Sequence, residues 1–220
     1  MLTTEPIVLA SGSAARRQLL ENAAIEVVVD PANVDEDAIR SALLADDHAM
    51  SGDDLAEVLA RAKADRVTAR HPGRLVLGAD QTLSCADTLY AKPYTLAEAQ
   101  TQLLALRGQT HRLHSAVVLA RDSDVVWATV VSADVTFRDF SAAVVGRYLS
   151  HVGEAATHSV GCYHLEGAGL HLVEKVSGDY FTVLGLPMFE LMGELRRLGV
   201  VADGELGARD GSGRLGKGRG

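Results

Sequence analysis

Apolar and polar positions along the 220-residue chain alternate between short apolar runs and longer amphipathic stretches, the pattern of strands followed by helices. Ile7 to Ala10 predicts a short strand, and Ser11, Gly12 and Ser13 then lead into a helix with Leu19 and Leu20 on its buried side. Ile25 to Val29 predicts a second strand, broken by Asp30 and Pro31, after which Asp35, Glu36 and Asp37 open another helix. Ser51 to Asp54 precede a helix that sets Leu55, Val58, Leu59, Ala62 and Val67 on one face, with Lys63 at its edge. Leu75 to Leu77 predicts a buried strand ending in Gly78, Ala79 and Asp80. Thr95 and Glu98 form a capping box for a helix carrying Leu96, Ala99, Leu103 and Leu106 and ending near Gly108. Thr110 to Ala120 and Val125 to Phe137, either side of Arg121 to Asp124, predict a hairpin. Ser141 starts another helix. The last runs from Pro187, expected in its first turn, to Gly199, with Arg196 and Arg197 complementing its C-terminal dipole. From Asp203 onward glycine and charge replace any apolar period, so 203–220 is expected to be an unstructured tail behind a domain of residues 1–202.

Composition narrows this to one large domain or two intimate lobes, because 47% hydrophobic residues in 220 suffice for a substantial core. A net charge of -8 argues against a nucleic-acid polymer as main partner, although a few converging cations can still build a small phosphate pocket. Cys85 and Cys162 lie far apart and form no metal spacing, which fits structural thiols in a reducing, cytoplasmic compartment. The N-terminus puts its positive charges after its short apolar stretch, unlike a secretory signal, and no run is long and apolar enough for a membrane span.

Candidate chemistry gathers in short clusters. Ser11, Ser13 and Arg16 stand at a helix start, where hydroxyls, backbone N–H groups and a guanidinium can grip phosphate; they also fit an ordinary capped helix with a surface arginine. Asp35 and Glu36 could offer a carboxylate to a hard metal or merely favour the helix dipole. Asp80, directly after the apolar run LVLGA, is expected at a strand end, where open α/β sheets place ligands; the alternative is a turn aspartate bonded to its own backbone. Lys63 and Lys92 could clamp phosphates, or be solvated. The eight histidines show no metal-ligand spacing, and GxSxG, GxxxxGK[ST] and GxGxxG are all missing.

Taken in order, LASGSAARRQLL, VDED, LARAKADRV, LVLGADQTL, AKP, LRGQTHRLHSAVVL and GDYFTVLGLP resemble the Maf family of nucleotide pyrophosphatases, from about Ile7 to Gly199. The resemblance implies an α/β fold: an elongated mixed sheet flanked by helices, in two lobes with the active cleft between them, related to inosine triphosphatase. It implies a cytoplasmic, often dimeric enzyme that uses magnesium, manganese or cobalt to split a nucleoside triphosphate into monophosphate and pyrophosphate. By motif, Ser11, Arg16, Lys63 and Lys92 match the family's substrate-binding positions, Glu36 its VDE glutamate and Asp80 its catalytic aspartate. On this matching Glu36 and Asp80 would hold the metal, Asp80 would accept the proton of the attacking water, and Arg16 and Lys92 would be cleft cations adding little to the core. Ala14, Ala15 and Ala91 depart from the usual proline, first arginine and glycine. Gln81 and Glu166 replace the threonine and glutamine common in members acting on thymidine and uridine triphosphates. Those choices resemble the subgroup that hydrolyses 7-methylguanosine triphosphate, with Glu166 expected to help select the base. A dTTP/UTP pyrophosphatase, a non-catalytic regulator of septum formation and a phosphatase releasing orthophosphate are the competing readings.

Overall fold

A computed structural model describes residues 4–44 and 50–201; the tail expected at 203–220 lies outside the described residues. Seven strands form one mixed sheet: β1 (Ile7–Leu9), β2 (Val27–Val29), β3 (Val76–Cys85), β4 (Thr88–Tyr90), β5 (Thr110–Arg121), β6 (Asp124–Phe137) and β7 (Val173–Ser177). The order is β2-β1-β3-β5-β6-β7, with β4 also on β3; β2, β1 and β3 run parallel, and the remaining pairings are antiparallel. Around it lie α1 (Ala14–Asn22), α2 (Glu36–Leu44), α3 (Gly52–Thr68), α4 (Leu96–Leu106), α5 (Ala142–Val152), α6 (Tyr180–Val183) and α7 (Met188–Arg197). This is the mixed, helix-flanked α/β sheet expected. Among the described residues no helix is long and apolar enough to cross a membrane.

Side-chain alternation along the strands sorts the core. Odd-numbered Leu77 and Ala79 of β3 join Ile7, Leu9, Val117 and Leu119 in a core closed by α1 and α7. Farther along the same face, Leu83 of β3 joins Leu113, Val135 and Phe137 in a second core closed by α4 and α5. Between these two cores the face is interrupted by Gln81 and its cross-strand partner Ser115. Two polar positions on an otherwise apolar stripe thus divide a single sheet face between two lobes. The opposite face carries Val8, Val76, Ala116 and Val118 against α3.

The packing of α3 differs from its sequence reading. Val58 and Ala62 are only half-buried, whereas Ala56, Ala60 and Ala64 are buried against the sheet, with Leu55, Leu59 and Val67. Small residues permit the close approach: a β-carbon on Gly78 would fall against the Ala60 carbonyl and 2.9 Å from Ala64 Cβ. Lys63 is therefore not at the edge of the apolar face but on it, 7% exposed. The β5–β6 hairpin turns through Asp122 and Ser123, with φ of 52° and 69°. Positive φ at both central residues is the twist-matched two-residue turn. At α4 the expected cap is present, Glu98 N–H donating to Thr95 Oγ1 at 3.1 Å, while the Glu98 carboxylate accepts from Tyr94 N–H at 2.8 Å. Pro187 caps α7 from outside, which begins at Met188 rather than at the proline. Both cysteines are free thiols.

Candidate functional site

The expectation that Asp80 ends its strand is wrong, and the reason locates the site. β3 continues to Cys85, so Asp80 lies mid-strand, paired with Ala116 and 3% exposed. On its other edge β3 is covered by β1 only as far as Leu77 and by β4 only from Leu83. Ala79 to Thr82 therefore face a gap where β1 has ended and β4 has not begun. It is β1, not β3, that ends at the site, and the loop Ala10 to Ser13 leads from there into α1. A charged side chain is tolerated inside the sheet because the gap supplies partners.

Arg16 supplies the first of them. Its Nε donates to Gly185 O at 2.9 Å, and one terminal nitrogen donates to Ala79 O at 2.9 Å and Ser11 Oγ at 3.0 Å. The guanidinium thus satisfies a strand carbonyl that has no neighbouring strand. Burial pulls its pKa down, opposed by the charges of Asp80 and Glu36. At 8% exposure Arg16 is a strut joining α1, β3 and the loop after α6, contrary to the expectation of a cleft cation with little part in the core. Its second terminal nitrogen makes none of these bonds, and Arg16 is among the residues lining the cavity. Ser13, the N-cap of α1, accepts from Arg16 N–H at 3.3 Å, and Ser11 Oγ accepts from Ser13 N–H at 3.3 Å, so the two serines shape the helix start.

Lys63 reaches across from α3. Its ammonium lies 2.5 Å from Asp80 Oδ1 and 2.7 Å from Glu36 Oε1, the first residue of α2. Burial alone would raise the Glu36 pKa, but Lys63, with Lys92 and Arg16 beyond, outweighs it and holds the carboxyl below its ordinary range. Three elements separated in sequence thus bring Glu36, Lys63 and Asp80 together, as their residue types suggested. Lys92, exposed just after β4, closes the far side of the gap and borders the same cavities.

On the other face of β3, Gln81 points into the cavity between the lobes. Its amide nitrogen donates to Ser115 Oγ at 2.9 Å, Thr182 O at 3.0 Å and Val183 O at 3.1 Å. Carbonyls only accept, so the orientation of the amide is settled and Oε1 is left as an acceptor. Val160, Tyr163, Leu165 and Val183 give this cavity apolar walls. Glu166 borders it, exposed, with His164 Nδ1 3.8 Å from its Oε1.

Apart from Glu166, sequence reasoning missed the wall formed by 153–172, where short 3₁₀ turns, Gly153–His158, Val160–Cys162 and Ala168–Leu172, bring in His158, Tyr163 and His164. Such turns have neither helix nor strand periodicity. The available signal was glycine: Gly161 has φ of 80°, and a β-carbon on Gly169 would lie 2.9 Å from His164 N.

A family model described as Maf-like protein matches residues 6–198. A protein of Mesorhizobium japonicum named 7-methyl-GTP pyrophosphatase is 49% identical over 198 residues, covering 90% of this chain and 98% of its own. One of the same name from Rhizobium etli is 48% identical over 198 residues, with the same 90% and 98% coverage. A protein of Caulobacter vibrioides named nucleoside triphosphate pyrophosphatase is 46% identical over 200 residues, covering 91% and 99%. With that match spanning the gap, its carboxylates and the wall opposite, the chain belongs to the Maf-like protein family.

Proposed function

We propose that this chain is a hydrolase, a nucleoside triphosphate pyrophosphatase that favours 7-methyl-GTP. The observation carrying the reading is that Asp80 and Gln81, adjacent on β3, serve opposite faces of one gap: Asp80 meets Lys63 and Glu36, and Gln81 meets the part of the cavity bounded by Val160, Tyr163, Leu165 and Val183. A nucleotide lying through the gap sets its phosphates by the first and its base by the second. Gln81 Oε1 and the Glu166 carboxylate are both acceptors, matched to the neighbouring N1–H and amine of guanine, and 7-methylation adds positive charge that an anion favours. Two of the relatives named above are called 7-methyl-GTP pyrophosphatase and the third nucleoside triphosphate pyrophosphatase.

In the reaction, the oxygen of a water attacks the α-phosphorus while Asp80 accepts its proton. The bond from the α-phosphorus to the bridging oxygen breaks, and pyrophosphate leaves with the electron pair. Lys63 holds the Asp80 carboxylate in place through Oδ1. The free terminal nitrogen of Arg16 and the Lys92 ammonium balance phosphate charge. One ammonium spans Glu36 and Asp80, so the two are near enough to share a cation, and each is a hard oxygen donor with a second oxygen outside that contact. They would hold magnesium, manganese or cobalt, which when bound neutralises charge on phosphate oxygens. A cytoplasmic setting suits this substrate and the two free thiols.

The test is a nucleotide panel with magnesium or manganese, scoring pyrophosphate and orthophosphate separately, in wild type and Glu166→Gln. Pyrophosphate is expected as first product, with 7-methyl-GTP preferred and that preference reduced in the variant. Orthophosphate as first product sinks the reading, and unchanged kcat/KM ratios remove Glu166 from base selection.

A further inference from the structure

Along α2, Arg40 follows Glu36 by four residues, so the two share a helix face one turn apart. Both border a branch of the cavity system that opens beside Lys92 and Gln81 and reaches Tyr94. The charges there are unevenly occupied. Glu36 is paired with Lys63, Asp35 accepts the Ala38 N–H at 2.9 Å, and Asp37 accepts the Tyr94 hydroxyl. Each acid of this wall therefore has a partner within the protein.

Among the described residues the cations are less fully partnered. Arg40 Nε is buried and has no hydrogen-bond acceptor there. Lys92 forms no ion pair among the described residues, although it acts on Glu36 through its charge. A buried guanidinium N–H without an acceptor is costly, and an anion in the branch that Arg40 borders offsets that cost through its charge on the guanidinium. Arg40 is also placed one turn beyond the carboxylate at the reacting centre, about 6 Å farther along the helix face, roughly the span from the first to the third phosphate of a triphosphate chain.

The geometry points to Arg40 as a further substrate-binding residue, one that takes the terminal phosphate of the triphosphate chain and, after cleavage, the departing pyrophosphate. The inference rests on the reading of the site as a pyrophosphatase. Lys92 stands where the branch meets the main cavity and hands the chain from the reacting phosphorus toward Arg40. The residue binds the group that leaves, so it contributes nothing to holding the nucleoside monophosphate.

Calorimetric titration of the full chain with inorganic pyrophosphate and, separately, 7-methyl-GMP, both with magnesium, distinguishes this role from a structural one. Arg40→Ala should weaken pyrophosphate binding about tenfold or more, the loss typical of one charge-assisted contact, and leave 7-methyl-GMP binding unchanged. Arg40→Lys should recover part of the loss. In steady state Arg40→Ala should raise KM for a triphosphate more than for the matching diphosphate. Equal weakening of both ligands, or no change in either, overturns the assignment, as does a wild type that binds no pyrophosphate. Failure of the pyrophosphatase reading is seen separately, as a wild type that turns over no triphosphate while Arg40-dependent binding of pyrophosphate persists.

Discussion

The two ends of the sheet solve different problems. At the β2-β1-β3 end both faces are covered, one by α1 and α7 and the other by α3, and its strands are nearly unbroken apolar runs. At the other end α4 and α5 cover one face, while among the described residues the reverse meets only the first turn of α3 and carries Ser84, Arg112, His114, Ser132 and Asp134. There His114 is held by Asp53 at 2.7 Å and Ser84 at 2.8 Å, and Arg112 pairs with Asp134 at 2.7 Å. A doubly covered sheet offers rigidity, and a singly covered one offers a surface on which loops can build a wall. The proposed chemistry lies at the seam, where rigid strands fix the Asp80 carboxylate and turns from the other lobe shape the cavity.

The sharpest test of the seam is Asp80→Asn. The amide keeps the shape but cannot take a proton, so turnover should fall on the order of 10²–10⁴-fold with the melting temperature little changed. Near-normal turnover in a folded variant would remove Asp80 from catalysis. Arg16→Ala tests the claim that the closed end is braced through the seam. It strands the carbonyls of Ala79 and Gly185 and should cost roughly 3–4 kcal/mol in chemical denaturation, so lost activity there reports stability as well as binding. A variant as stable as wild type would return Arg16 to the role of a simple phosphate cation.

The singly covered end is tested by acid. His111, 1% exposed, packs on Phe137 and Tyr163, hydrogen-bonds the Tyr163 hydroxyl at 2.9 Å, and is lowered to about 4 by burial. Its folded pKa lies below the unfolded value, so the unfolded chain binds more protons between about 4 and 6.5. Stability from this group is complete above the upper bound and drains as pH falls through the window, by about 3 kcal/mol in all. Denaturation across that range should show the loss in wild type and less of it in His111→Phe. Identical slopes would mean that another group governs the acid response of this lobe.

Much of the fold was legible in the residues alone. Apolar runs gave the strands, a capping pair gave the start of α4, and the acids and cations near Glu36, Lys63, Asp80 and Lys92 did converge. Asp80 was misplaced because a sequence shows that an apolar run meets a charge, not that the strand continues through it; the tolerance comes from a missing neighbour strand, a property of pairing. Arg16 was misjudged for the same reason, since its acceptors are backbone carbonyls 63 and 169 residues away. On α3 the leucine spacing was correct, but the alanine placed on the buried face was Ala62, whereas Ala56, Ala60 and Ala64 are the ones fully buried. His158, Tyr163 and His164 sit on turns that carry no period to read.

Gly78 lies two residues before Asp80, the proposed proton acceptor, and α3 rests directly on its bare backbone. The reach of Lys63 is fixed by its length, so the separation of helix from strand decides whether its ammonium can touch Asp80. A single methyl group at Gly78 would act as a shim: it would lift the helix, draw the cation off its carboxylate, and detune the reaction without altering any residue that takes part in it.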